Sequence, residues 1–259
     1  MNKEKMIILD ENNKEIFFMY KERKIKVNII YRKRKSISIK IIPKDKIDII
    51  SPKSVSITYL RDLIIKKIDW IIKTLDKFEN LDDSFENRDY KDEEIFYYLG
   101  EKYKLRIIKD KNISNSKKDY CIIEIRDNYL EITTNNYDKE YIKNELKKWY
   151  KVESEKIVID RIQYLRKHNS IINSLNPGIV KIKEQKKRWG TCTSAKSIYI
   201  NSRISMAKVH VIDYIIVHEY CHLVHMNHSK DFYNLVKKIM PNYKEAENWL
   251  RENGYKLIL

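Results

Sequence analysis

Four of the six histidines fall within eleven residues, in the stretch VHEYCHLVHMNHSKDF at 217–232. His218, Glu219 and His222 form an HExxH pattern. On a helix, residues four apart share a face about 6 Å apart along the axis. Two imidazoles so placed can hold one Zn2+ at Zn–N distances of about 2.0–2.1 Å. Glu219 sits about 100° round from His218, where its carboxylate can take a proton from a metal-activated water. The upstream VIDYIIV (211–217) is almost wholly apolar, so the helix is expected to be buried. Buried imidazoles without partners are costly, and metal ligation pairs them. The chemistry this pattern points to is metal-dependent hydrolysis.

A tetrahedral site needs a third protein ligand, and the sequence offers several. His225 lies seven residues past His218, which on a continuous helix is about 10 Å along the axis, too far for both to hold one ion. Unless the helix breaks early, it fits better as a wall of the substrate cleft or as a support behind the ligands. His228 lies ten residues past His218, beyond a turn that Met226-Asn227 can make, since Asn tolerates a left-handed cap. Ser229 reads as the N-cap of a following helix, KDFYNLVKKI. His228 is therefore the expected third ligand, with Glu245 or Glu247 as the alternative. The HExxH-x5-His spacing equals that of the metzincins, but their turn glycine is replaced by His225 and no Met-turn is evident. Cys221 lies inside the motif but off the ligand face, and it reads with Cys192 as a small buried residue.

Other elements must position this helix. Alternation of Ile37, Ile39 and Ile41, a Pro-Lys-Asp-Lys turn, and IDIIS predict strand, turn and strand within 26–51. Leu60, Ile64, Ile68, Ile71 and Leu75 recur at three- and four-residue steps and predict a helix over 56–78. The polar, acidic 79–94 reads as a linker. Two hairpins follow, turning at Leu99-Gly100 and Asp127-Asn128. A long helix is expected over 139–167, then strands 178–188 and 197–204, the metal-candidate helix from near Lys208, and helices 229–239 and 243–253 separated by Pro241-Asn242. The fold class is α+β, with an N-terminal strand and helix region at 1–95 and a catalytic domain at 96–259.

With these residues identified, the chain resembles the YgjP-like metallopeptidase family, small zincins related to the SprT-like and WLM proteases. The resemblance rests on VHEYCHLVHMNHSKDF, on KKRWGTCTSAKSIYINSRI just upstream, and more weakly on YRKRKSISIKI, KIDWIIK and YYLGEKYKL. It implies a zincin-like domain, a Zn2+ held by His218, His222 and His228, and Glu219 as general base. A strand beside the HExxH helix can pair with an extended peptide, and 197–204 is the candidate. Arg188 and Trp189 are expected to flank the cleft, and Asn201 to orient substrate or a loop.

Composition narrows the setting. Three widely spaced cysteines, Cys121, Cys192 and Cys221, argue against a disulfide framework. The N-terminus lacks a signal-peptide pattern and no stretch reaches the roughly 20 apolar residues of a membrane helix, so a cytoplasmic protein is expected. The formal charge of +16 raises a nucleic-acid or nucleotide partner, although a Lys, Ile, Asn and Tyr bias accounts for it more readily. The expected function is a zinc metallopeptidase acting on peptides or proteins. The alternatives are a metal-dependent phosphoanhydride hydrolase, which would lack a phosphate-cradling glycine loop, and a DNA-associated protease of SprT type.

Overall fold

The computed structural model describes residues 7–9, 16–20, 22–42, 46–79, 88–109 and 119–259. The chain divides into two compact units, Met1–Asp83 and Ser84–Leu259. Helices and small sheets are mixed in the α+β manner, and no helix among the described residues is long and apolar enough to cross a membrane.

The first unit is a five-stranded sheet carrying one helix. Strands β1 (Ile7–Leu9), β2 (Ile16–Tyr20), β3 (Arg23–Tyr31), β4 (Ser38–Ile42) and β5 (Lys46–Ser51) are ordered β1-β2-β3-β5-β4. The expected strand pair is the antiparallel β4–β5 ladder, whose turn at 43–45 lies outside the described residues. The parallel pairing of β3 with β5 joins segments distant in sequence. Helix α1 (Ile57–Glu79) buries Leu60, Ile64, Ile71 and Leu75 against Phe18, Val27, Ile47 and Ile49. The helical apolar stripe thus meets the inward-facing side of the strands.

Of the expected linker 79–94, residues 80–87 lie outside the described residues, but 88–94 are packed into the second unit. Arg88 is 6% exposed and donates to the carbonyls of Ile95 and Ile258, and Tyr90 is 4% exposed in the core. The acidic composition concealed this anchoring because a single buried Arg and Tyr carry it.

The second unit opens with β6 (Ile95–Tyr98), β7 (Glu101–Lys109), β8 (Cys121–Arg126) and β9 (Tyr129–Thr134), ordered β6-β7-β9-β8. Both expected hairpin turns are present, with Leu99, Gly100 and Asp127 at positive φ. At the first turn, Leu99 and Gly100 donate backbone N–H bonds to Ser205 and Met206. A Cβ on Gly100 would run into the Lys208 side chain and lie 3.2 Å from its Cα. The turn therefore clamps the segment leading into the metal-candidate helix.

Helix α2 (Lys139–His168) is capped by Asp138, whose side chain accepts from Tyr141 N–H, and a short helix α3 (Ser170–Ser174) follows. Next come β10 (Ile179–Lys183), β11 (Gly190–Cys192) and β12 (Ser197–Asn201), then α4 (Val209–Cys221), α5 (Lys230–Ile239) and α6 (Tyr243–Asn253). Arg161 of α2 grips Asp213 of α4 through two bonds of 2.7 and 2.9 Å. Ser154 of α2 bonds Ser202 and Ser205 in the buried interior. Helix α2 thereby holds both α4, at Asp213, and the segment that leads into it.

The expected strand 197–204 is corrected in its role. β12 is the central strand of a three-stranded sheet ordered β10-β12-β11, paired in parallel with β10 and antiparallel with β11. Both its edges are occupied, so it cannot receive a substrate strand. The short β11, which no alternation announces, is an edge strand, as is β10.

Candidate metal centre

Helix α4 is buried on nearly all sides, with Val211, Ile212, Tyr214, Ile215, Ile216, Val217 and Tyr220 in the core. Its end fixes the site. The helix stops at Cys221 and His222 is its C-cap in right-handed conformation, followed by a turn over 222–224. This is earlier than the Met226-Asn227 break expected from sequence. The chain then bends back, and Ser229 caps α5 by accepting from Phe232 N–H.

The consequence is convergence. Nε2 of His222 lies 3.2 Å from Nε2 of His218, and Nε2 of His228 lies 3.0 Å from the same atom. His218, His222 and His228 form a group whose ligand atoms all approach within 4.8 Å of one another. Two nitrogens at Zn–N distances of about 2.0–2.1 Å in a tetrahedron stand about 3.3 Å apart, so the observed spacing fits one such ion. Phe232, fully buried, underlies all three rings with centroids at 4.9, 4.5 and 4.9 Å.

His222 Nδ1 lies 3.0 Å from the carbonyl of His225. A proton on Nδ1 donated to that carbonyl leaves Nε2 as a lone pair facing the cluster, the usual way a ligand histidine is oriented. His225 itself is half-buried and does not line the cleft; its backbone does the work. Nδ1 of His218 is buried with no hydrogen-bond partner among the described residues. Burial, aided by the neighbouring His222 and His228, holds His218 down at about 3, and burial also lowers His222. Burial thus favours the neutral form of both imidazoles, the form that binds a cation.

Glu219 is 4% exposed and faces β11. A Cβ on Gly190 would overlap the Glu219 carboxylate and come within 2.6 Å of its Cγ. Trp189 and Thr193 bond toward β12, so the backbone groups of Gly190 and Cys192 turn the other way. There the Cys192 N–H meets the Glu219 carboxylate. Burial raises the Glu219 carboxyl to about 7, against the Arg188 charge and the Cys192 N–H, which favour the ionised form. Among the described residues no hydrogen-bond partner reaches its buried Oε2. A carboxyl poised near neutrality, with one unsatisfied oxygen beside three convergent imidazoles, has the properties of a general base.

A cleft of about 570 Å³ opens over this cluster, lined among others by Arg188, Trp189, Gly190, Thr191 and Glu247. Asn201 is fully buried and does not reach it. Its Nδ2 donates to the carbonyls of Gln185 and Arg188 at 2.7 Å each, and its Oδ1 accepts from Arg203 N–H. Asn201 thus holds the 184–189 loop that delivers Arg188 and Trp189. Glu245 is exposed, and Glu247 lines the cleft within reach of Lys244 at 3.8 Å; neither belongs to the histidine group. Cys221 is buried with its thiol pushed up to about 12, away from the ligand set.

The sequence reading gives Gly190, Tyr214 and Phe232 no role in the site. Tyr214 sits edge-on to His218 at 5.8 Å and lines the cleft. Phe232 was visible as the aromatic of His-Ser-x-x-Phe, four residues after His228 and so on the inner face of the new helix. Gly190 carried a signal in being one of only four glycines.

A family model described as YgjP-like, metallopeptidase domain, matches residues 35–253. No curated protein matches the sequence. Among solved structures, the chain is similar to the metallopeptidase zymogen abylysin of Pyrococcus abyssi, at 23% identity over 34% of this chain and 90% of that one, with a TM-score of 0.31.

Proposed function

The chain belongs to the YgjP-like metallopeptidase family, and from that premise we propose a zincin-type centre, within residues 96–259, that hydrolyses peptide bonds with one Zn2+. The observation that carries the reading is the approach of His222 Nε2 and His228 Nε2 to His218 Nε2 at 3.2 and 3.0 Å, beside the buried Glu219. The donor set of three imidazoles suits Zn2+. Bound there, the ion lowers the pKa of water toward neutrality and polarises the scissile carbonyl.

The chain's own residues do the rest. Glu219 Oε2 accepts the proton of the attacking water and returns it to the nitrogen of the leaving amine. Gly190 admits the carboxylate to its position, and the Cys192 N–H holds it. The edge of β11 that faces away from β12, where Glu219 already engages the Cys192 N–H, receives the substrate as an added strand through its remaining backbone groups, which lays a peptide carbonyl beside the histidine cluster. Arg188 and Trp189 flank that strand, kept in place by Asn201. His225 contributes its carbonyl, fixing the tautomer of His222.

Purified protein incubated with unfolded protein substrates should cleave them, lose the activity to a chelator, and regain it on addition of Zn2+. Cleavage undiminished by thorough metal removal would overturn the reading.

A further inference from the structure

A second hollow of about 470 Å³ adjoins the cleft on the outer face of the three-stranded sheet, and the two share Arg188 and Thr191. Around it stand Lys183, Lys186, Lys187 and Arg188, all exposed, with Tyr199 beside them and no acidic residue in the lining. Among the described residues none of these four cations forms a salt bridge. The neighbouring acid in sequence, Glu184, is engaged by Lys147 at 3.1 Å. Lys183 Nζ stands 5.5 Å from the Tyr199 ring centroid. In a chain of 53 basic and 37 acidic residues, scattered lysines are unremarkable. Four cations gathered in one concavity without a salt bridge among them are different, because a concave low-dielectric wall focuses their field.

The register says what would meet that field. Thr191 pairs with Tyr199, and Lys183 lies on the same face of the sheet, opposite the buried Ile182, Ile198 and Ile200. Side chains of a strand alternate between faces. A peptide added to the β11 edge therefore sends every second side chain toward the histidine cluster and the intervening ones toward the basic hollow. We infer that this hollow is a specificity subsite for acidic side chains, selecting extended substrates with Asp or Glu at alternate positions. The inference rests on the peptidase reading above, through the strand added at β11. A nucleic-acid backbone would meet the same cations. The sharing of Arg188 and Thr191 with the hydrolytic cleft favours a peptide, since one extended chain then occupies both hollows.

The test uses the full chain loaded with zinc. Binding of a fluorescein-labelled Glu-Ala repeat peptide and of its Gln-Ala counterpart is measured by anisotropy on the Glu219→Gln variant, and cleavage of both on the wild type. The acidic peptide should bind about tenfold more tightly, the scale of several exposed ion pairs acting together, and the advantage should shrink as salt rises from about 0.05 to about 0.5 M. In a Lys183→Gln, Lys186→Gln, Lys187→Gln variant the ratio between the two peptides should fall toward unity, with zinc content and thermal midpoint retained. Equal binding of the two peptides, or a ratio unmoved by the triple substitution, overturns the subsite. So does a labelled oligodeoxythymidylate that binds through the same lysines more tightly than the acidic peptide. Absence of cleavage of either peptide by the wild type counts against the peptidase reading, while the binding ratio still decides the subsite.

Discussion

Gly190 and Glu219 leave no room for a side chain between them: a Cβ on the glycine would lie 2.6 Å from Cγ and 2.7 Å from Cδ of the glutamate. The contact is backbone-to-carboxylate packing between the edge strand β11 and helix α4. It fixes where the proposed base stands. Gly190→Ala must therefore move either the strand or the carboxylate. Overpacking of this kind costs about 1–3 kcal/mol, and a 1 Å displacement of a catalytic group costs about 10²-fold in rate. The variant should fold, bind zinc stoichiometrically, and lose about two orders of magnitude in kcat/KM; full activity would remove the contact from the mechanism.

Glu219→Gln keeps the shape of the side chain and removes its basicity. General base catalysis is worth about 10²–10⁴-fold, and hydrolysis should fall on that scale while metal analysis shows zinc unchanged. The amide also relieves the burial penalty that raises the carboxyl to about 7. The metal-free variant should consequently be no less stable in thermal unfolding than the metal-free parent. A variant that retains parental turnover would falsify the assignment of Glu219.

His225 and His228 separate a side chain from a backbone. His228 offers Nε2 to the cluster, whereas His225 offers its carbonyl to His222. His228→Ala should abolish tight zinc binding. His225→Ala keeps the carbonyl and should retain zinc. The readout is metal content after dialysis, together with the thermal midpoint with and without chelator. Because a ligand that binds only the folded state stabilises by RT ln(1 + [L]/Kd), the chelator should depress the midpoint of the parent and of His225→Ala, but not of His228→Ala.

Sequence reached further into the histidine cluster than into the cleft, for a physical reason. His218, Glu219, His222 and His228 are placed by one helix, its end and the next N-cap, all within local geometry. The helix ended at Cys221 rather than after His225, which shortened the path but left His228 able to turn back. The cleft depends on pairings between distant segments. Residues 190–192 are too few to show alternation, so β11 is not legible in the sequence, and alternation points instead to β12, whose edges are both covered by β10 and β11. The approach of Gly190 to Glu219 and the grip of Asn201 on the 184–189 loop are contacts across the fold that no period in the chain encodes. The same holds for Arg88 and Tyr90, two buried residues inside an acidic segment that reads as solvated.

Asn201 links loop order to activity. Its amide donates to the carbonyls of Gln185 and Arg188, and its oxygen accepts from Arg203 N–H. Asn201→Ala leaves these groups to find other partners in a site where Asn201 is fully buried. An unsatisfied buried polar group costs about 1–3 kcal/mol, so the thermal midpoint should fall. The 184–189 loop carries Arg188 and Trp189, and its loosening should raise KM more than it lowers kcat, because the histidine cluster is held separately by α4 and α5. Asn201→Asp tests the geometry more finely. It keeps the acceptor for Arg203 but places a second oxygen against two carbonyls, and it should be at least as damaging as alanine. A fall in kcat at unchanged KM, or loss of zinc in either variant, would instead place Asn201 in support of the metal centre itself.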